Sequence, residues 1–109
     1  MVVLSGDVLM LKTEYKNNVL TAFLDGELDH DSACRIRQRI DSSVRSLRPR
    51  LLCLNFEKVS FMDSSGVGLV MGRYRQMKLL GGSLKVTDVP DNIYRIFAMS
   101  GLESLGVLR

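Results

Sequence analysis

The sequence predicts an α/β domain in which a mixed β-sheet with a parallel centre packs against helices. Three observations carry that reading. Strand-like and helix-like segments alternate from residue 31 onward, the pattern of strand–helix–strand crossovers. The run LLCLNF, residues 51–56, is short and apolar, as in a central strand buried on both faces. Two further segments meet at Asn17-Asn18, a pair suited to a tight hairpin because asparagine tolerates positive φ.

Taken in order, VLMLKTEYKNNVLTAFLDGEL, residues 8–28, supplies the two strands of that hairpin. From Asp31 the period changes, with Ala33, Ile36, Ile40, Val44 and Leu47 at spacings of three and four, one face of an amphipathic helix. Asp31 or Ser32 is placed to cap it. Arg35, Arg39, Arg45 and Arg48 fall off the apolar stripe and read as a solvated face. Pro49 ends the helix and LLCLNF follows. Helical spacing returns at Val67, Val70, Met71, Tyr74 and Met77, until Gly81-Gly82 stops it. SLKVTDV, residues 83–89, is a further strand. Pro90 suits the first turn of a third helix with Ile93, Ile96 and Phe97 inward and Gly101 at its close, and LGVLR adds a last short strand.

A chain of 109 residues is long enough for one domain, expected over residues 1–109, and too short for two. Its longest apolar stretches fall far short of the ~20 residues a membrane-spanning helix needs. The apolar start, Met1 to Leu4, is broken by Ser5, Gly6 and Asp7 and lacks a secretory leader, so a cytoplasmic protein with no membrane partner is expected. Cys34 and Cys53 form no C-x-x-C pair, which predicts buried thiols rather than a disulfide or metal ligands. The net charge of +3 alone would suit nucleic acid, but no basic stripe interleaves with aromatics, so no nucleic-acid partner is expected.

The chemistry concentrates in FMDSSGVG, residues 61–68, where a strand passes into a helix. Asp63 or Ser64 stands where an N-cap belongs, which places Ser65 in the first turn. Helix N-termini have unpartnered N–H groups and a dipole that favours negative charge, so a phosphoryl group on Ser65 suits the fold. The plainer reading is that Asp63 and the serines only cap the helix while Gly66 and Gly68 allow close packing. Opposite the apolar stripe lie Ser65, Leu69, Gly72 and Gln76, at i, i+4, i+7 and i+11, expected to form an outward, small and flat surface for a partner. A phosphate at its edge adds roughly −1.5 to −2 charges and would switch binding off.

The connection LDGELDHDS holds Asp25, Glu27, Asp29 and Asp31 beside His30, the single histidine. Caps and solvation account for these carboxylates, and without an EF-hand pattern no metal is expected. A hydrolase triad of Ser65, His30 and Asp63 can be composed, but no G-x-S-x-G elbow surrounds either serine. Gly66-Val67-Gly68 lacks the third glycine and the lysine of phosphate-binding loops, and no cofactor is expected.

GELDHDSA, FMDSSGVGLVMGRYRQMKLLGG and MSGL resemble the anti-sigma factor antagonists, whose fold is the STAS domain, over essentially the whole chain. The sporulation branch of that family is the best match. The resemblance implies a single STAS-type domain that is no enzyme. In its unphosphorylated form it binds an anti-sigma factor that is also a serine kinase, and so indirectly frees a sigma factor. The kinase then phosphorylates the antagonist and releases it, and a PP2C-type phosphatase resets the cycle. The second serine of D-S-S-G is the family's acceptor, which maps onto Ser65, with Asp63 as the capping aspartate. Asp29 matches a loop aspartate of the kinase-facing surface; Ser64 and Gly66 beside the acceptor, and Leu69 and Gly72 of the outward face read from the helical spacing, are the further expected support and binding residues. With Arg109 soon after the last short strand, the final C-terminal helix common in such domains is expected to be short or missing. A general-stress antagonist sharing Ser65, and the serine hydrolase, are the alternative readings.

Overall fold

The computed structural model describes residues 11–108; Val8, Leu9 and Met10 of the expected first strand, and Arg109 of the expected last one, lie outside them. Strand β1 (Leu11–Lys16) and strand β2 (Val19–Leu28) form the antiparallel hairpin. Its turn residues Asn17 and Asn18 both have positive φ, 54° and 67°, as a two-residue turn matched to sheet twist requires. The Tyr15 hydroxyl donates to the Asn18 side chain at 2.7 Å and steadies the turn.

Helix α1 (His30–Leu47) ends at Arg48, which adopts the left-handed conformation and donates its N–H to the Val44 carbonyl. Strand β3 (Leu51–Met62), helix α2 (Ser64–Leu79) and strand β4 (Ser83–Thr87) follow. The end of α2 is a Schellman turn: Gly82 N–H donates to Met77 O at 2.7 Å and Gly81 N–H to Lys78 O at 3.1 Å, with Gly81 at φ +79°. Helix α3 (Asp91–Met99), capped by Pro90, and a 3₁₀ turn (Leu102–Leu105) complete the chain. Among the described residues the expected last strand is represented by one parallel bridge, Val86 to Leu108.

The sheet order is β1-β2-β3-β4, with β2, β3 and β4 parallel. Leu20, Leu52 and Leu84 are register partners, so one face carries aligned buried residues on three strands. Ile36, Ile40 and Val44 of α1, Val70 and Met77 of α2, and Ile93 and Phe97 of α3 close over it as one core. Each such side chain contributes roughly 1.5–3 kcal/mol through its removal from water. Phe56 and Phe97 meet edge to face at 5.3 Å.

The central strand differs from its expected state. Leu52, Leu54 and Phe56 are fully buried, but Leu51, Cys53 and Asn55 on the opposite face are only half-buried. The helices all pack on one side, so the apolar run marks a central strand without marking two covered faces. Cys34 and Cys53 are likewise free and half-buried rather than buried. No helix among the described residues is long and apolar enough to cross a membrane.

Candidate functional site

Strands β2 and β3 end together. Leu28 and Met62 are register partners, and the Asp63 N–H donates to the Leu28 carbonyl at 3.2 Å. One residue later each strand hands over to a helix, so Asp29 and Asp63 stand as neighbouring N-caps of α1 and α2. This is the C-terminal edge of parallel strands, where α/β sheets leave helix N-termini and room for ligands.

Asp63 caps α2 as expected, its carboxylate accepting the Ser65 N–H at 2.8 Å and its carbonyl the Gly66 N–H at 3.1 Å. Ser65, at the second helical position, is half-buried, and its hydroxyl makes no hydrogen bond among the described residues. Ser64 is exposed beside it. Two of the N–H groups expected to be open to a phosphate are therefore already taken by Asp63. A phosphate on Ser65 would gain from the helix dipole, yet repulsion by the Asp63 carboxylate would turn it away from the cap. Gly66 is buried, and a β-carbon there would collide with the Met62 side chain and come within 3.1 Å of Leu28. A side chain at residue 66 would push the start of α2 off the strand ends.

At the neighbouring start, the cap is Asp29 rather than Asp31 or Ser32. The Asp29 carboxylate accepts the Ser32 N–H at 3.0 Å, and the Ser32 hydroxyl accepts the Asp29 N–H at 2.9 Å, a reciprocal capping box. Ser32 Oγ also donates to the Glu27 carbonyl at 2.9 Å. The Ser32 N–H first, and its hydroxyl second, hold the Asp29 carboxyl below the usual aspartate range. Asp25 and Glu27, which the sequence reading counted both in the second strand and in the connection after it, belong to β2, and the helix follows at once with Asp29 as its cap.

The expected outward face of α2 is corrected by α1. Leu69 is 4% exposed, and Gly72 and Gln76 are half-buried, because this side of α2 faces its neighbour helix. His30, Cys34, Arg37 and Asp41 on α1 carry the same i, i+4, i+7, i+11 spacing as Ser65, Leu69, Gly72 and Gln76 on α2. The two rows form a seam. At its N-terminal half they leave a groove of about 320 Å³ with Ser65 at one end and His30 and Arg37 in its walls. Helix α2 is covered by the sheet on one side and α1 on another, so it lacks the single apolar stripe from which an outward face can be read.

Arg73, which the sequence reading did not single out, is 7% exposed within this seam. Its Nε lies 2.9 Å from the Asp41 carboxylate, an ion pair too bent to count as a hydrogen bond. Burial lowers the Arg73 pKa, Asp41 opposes that shift and Arg37 adds to it. The signal for the seam was the matching spacing on both helices, with a charged residue at each of Asp41 and Arg73. As for the composed triad, Asp63 is spent as a cap, and no hydrogen bond among the described residues joins His30 to Ser65 or Asp63.

Comparison with known proteins gives a consistent result. Residues 10–107 match the family model of the STAS domain. The anti-sigma F factor antagonist of Paenibacillus polymyxa is 35% identical over 86% of this chain and 80% of its own. The anti-sigma-B factor antagonist of Bacillus subtilis is 31% identical over 81% of this chain and 79% of its own. Among solved structures, the anti-sigma factor antagonist SpoIIAA in its unphosphorylated form superposes with a TM-score of 0.81 at 32% identity, covering 91% of this chain and 85% of its own. SpoIIAA of Bacillus in its phosphorylated form superposes with a TM-score of 0.74 at 32% identity, covering 91% of this chain and 88% of its own.

Proposed function

The chain belongs to the anti-sigma factor antagonists of the STAS domain family, and from that premise we propose that it is a sporulation-type anti-anti-sigma factor whose partner choice is set by phosphorylation of Ser65. Unphosphorylated, it binds an anti-sigma factor that is also a serine kinase, and the sigma factor held by that kinase is released. The observation that carries the assignment is the Ser65 hydroxyl, fixed at the start of α2 by the Asp63–Ser65 cap and free of any hydrogen bond of its own among the described residues.

The phosphoryl transfer is the partner's chemistry. Ser65 Oγ attacks the γ-phosphorus of ATP, the bond to the β–γ bridging oxygen breaks, and ADP leaves while the hydroxyl proton passes to a base of the kinase. Positioning and neutralisation of charge by the kinase and its Mg²⁺ supply the catalysis. This chain contributes a hydroxyl held at one place by a helix cap on two paired strand ends. Asp29, exposed at the adjacent cap, lies within the same surface. The phosphate then adds roughly −1.5 to −2 charges next to Asp63, which opposes return of the same partner. A PP2C-type phosphatase resets the cycle. The likeness to a sigma-B antagonist supports the general-stress pathway as a second reading.

Calorimetric titration against the sporulation and the stress anti-sigma kinases tests both readings. Wild type and Ser65→Ala are expected to bind the sporulation kinase alike, and Ser65→Asp to bind at least about tenfold more weakly. Undiminished affinity of Ser65→Asp would remove the electrostatic switch, and tighter binding to the stress kinase would replace the pathway.

A further inference from the structure

Arg73 sits in the middle of α2, only 7% exposed, and its Nη1 is buried without a hydrogen-bond acceptor among the described residues. The Asp41 ion pair balances the charge but leaves guanidinium donors open. A buried guanidinium with unused donors is costly, and a carboxylate offering two aligned oxygens is the group that best satisfies it.

The surroundings of Arg73 are shaped for such a group. Gly72 and Arg73 are shared by two stretches of the α1–α2 groove, one running to Ser65 and the other past Arg45 and Arg75 to Leu79 and Leu80. A β-carbon at Gly68 or Gly72 would meet nothing within 4 Å, so the glycines keep the trough open rather than serve contacts inside the chain. Its rim carries the exposed Arg37, Arg45 and Arg75, against a single carboxylate, Asp41, among the described lining residues. At the far end Leu79 is 87% exposed and Leu80 42%.

We propose that this trough docks an acidic segment of a protein partner, one carboxylate of the segment binding Arg73 and an apolar side chain resting on Leu79. Charge complementarity selects the occupant: cations line a groove that ends in an apolar patch, and that pattern fits an acidic, leucine-bearing peptide. The choice of a protein as occupant rests on the proposed function, since a partner anchored here is led along α2 to Ser65. Docking and phosphorylation are separate events on one helix.

The test is an NMR titration of the isotope-labelled full chain with two short synthetic peptides, one built of Glu and Leu and the other of Lys and Leu. The acidic peptide is expected to shift the Gly68 and Gly72 amides and the Arg73 Nε–H signal, and the basic one to leave them in place. The double variant Arg45→Glu with Arg75→Glu changes only exposed positions and should bind the acidic peptide at least about tenfold more weakly. Shifts confined to other surfaces, or equal affinity in the double variant, would overturn the proposal. ATP alone is titrated in parallel. If ATP moves the Arg73 signal and the acidic peptide does not, the trough is a small-phosphate site and the docking proposal fails. None of these outcomes depends on Ser65 being phosphorylated, so loss of this proposal and loss of the phosphorylation switch are distinguishable.

Discussion

Helices α1 and α2 both leave the sheet through an aspartate in extended conformation, Asp29 at φ −109° and ψ −172° and Asp63 at φ −99° and ψ −170°. In each the cap carboxylate accepts a serine N–H, from Ser32 at 3.0 Å and from Ser65 at 2.8 Å. The serine hydroxyls differ. Ser32, three residues after its cap, reaches back to the cap backbone and to Glu27 and is 3% exposed. Ser65, two residues after its cap, cannot close that box, and its hydroxyl is left facing the groove. A one-residue difference in spacing thus separates a serine whose hydroxyl is tied into the cap from one whose hydroxyl has no hydrogen bond among the described residues.

That contrast can be broken first at Leu69, which locks α2 against α1 one turn below Ser65. Its burial predicts that Leu69→Ala loses about 2–4 kcal/mol in urea unfolding, the ordinary cost of emptying a core leucine site. A loss below about 0.5 kcal/mol, the range of surface substitutions, would return Leu69 to solvent and restore the outward face first expected. Next in size is the pair of serines. Ser32→Ala leaves the Asp29 N–H and the Glu27 carbonyl without their partner and should cost about 1–2 kcal/mol. Ser65→Ala keeps its backbone bond to Asp63 and should stay within about 0.5 kcal/mol of wild type. Equal losses from the two serines in the same unfolding series would erase the distinction between them.

Between these lies Asp63→Ala, expected to cost about 1 kcal/mol as a lost N-cap. It should also slow phosphorylation of Ser65 in a timed kinase assay, because the acceptor loses its fixed position. An unchanged rate would show that the kinase itself orders this turn. The smallest effect concerns acid. Because the folded Asp29 carboxyl is held below its usual range, its cap stabilises the fold above that range and is lost as pH falls through the depressed folded value. In an NMR pH titration the Ser32 amide should follow a transition lower than that of an unperturbed aspartate, and a transition at the ordinary value would mean the capping box is not closed in solution.

Much of the fold was legible because local signals and tertiary structure agree. Asn17-Asn18, Pro49 and Gly81-Gly82 each mark a change of direction through positive φ or a lost N–H, and an element boundary falls beside each of the three. The single stripe of α1 was legible for the same reason, as that helix buries one face. Helix α2 was misread at Leu69 because it packs on the sheet and on α1 at once, and a helix covered from two sides carries no clean polar arc. The cap at Asp29 was missed for a different reason. The strand reading already reached Leu28, but the periodic apolar positions begin only at Ala33, so the cap was sought at Asp31 or Ser32 while the chain enters the helix directly after β2, at Asp29. Ser65 itself was legible as a residue at a helix start. Its free hydroxyl was not, since that depends on which serine reaches its cap.

The most direct measurement is intact-mass spectrometry with peptide mapping after incubation with the sporulation anti-sigma kinase and ATP, on wild type, Ser32→Ala, Ser64→Ala and Ser65→Ala. The account predicts one phosphoryl group on Ser65 in the first three proteins and none in the fourth. A phosphoryl group on Ser64 or Ser32, or an unmodified wild type, would contradict it.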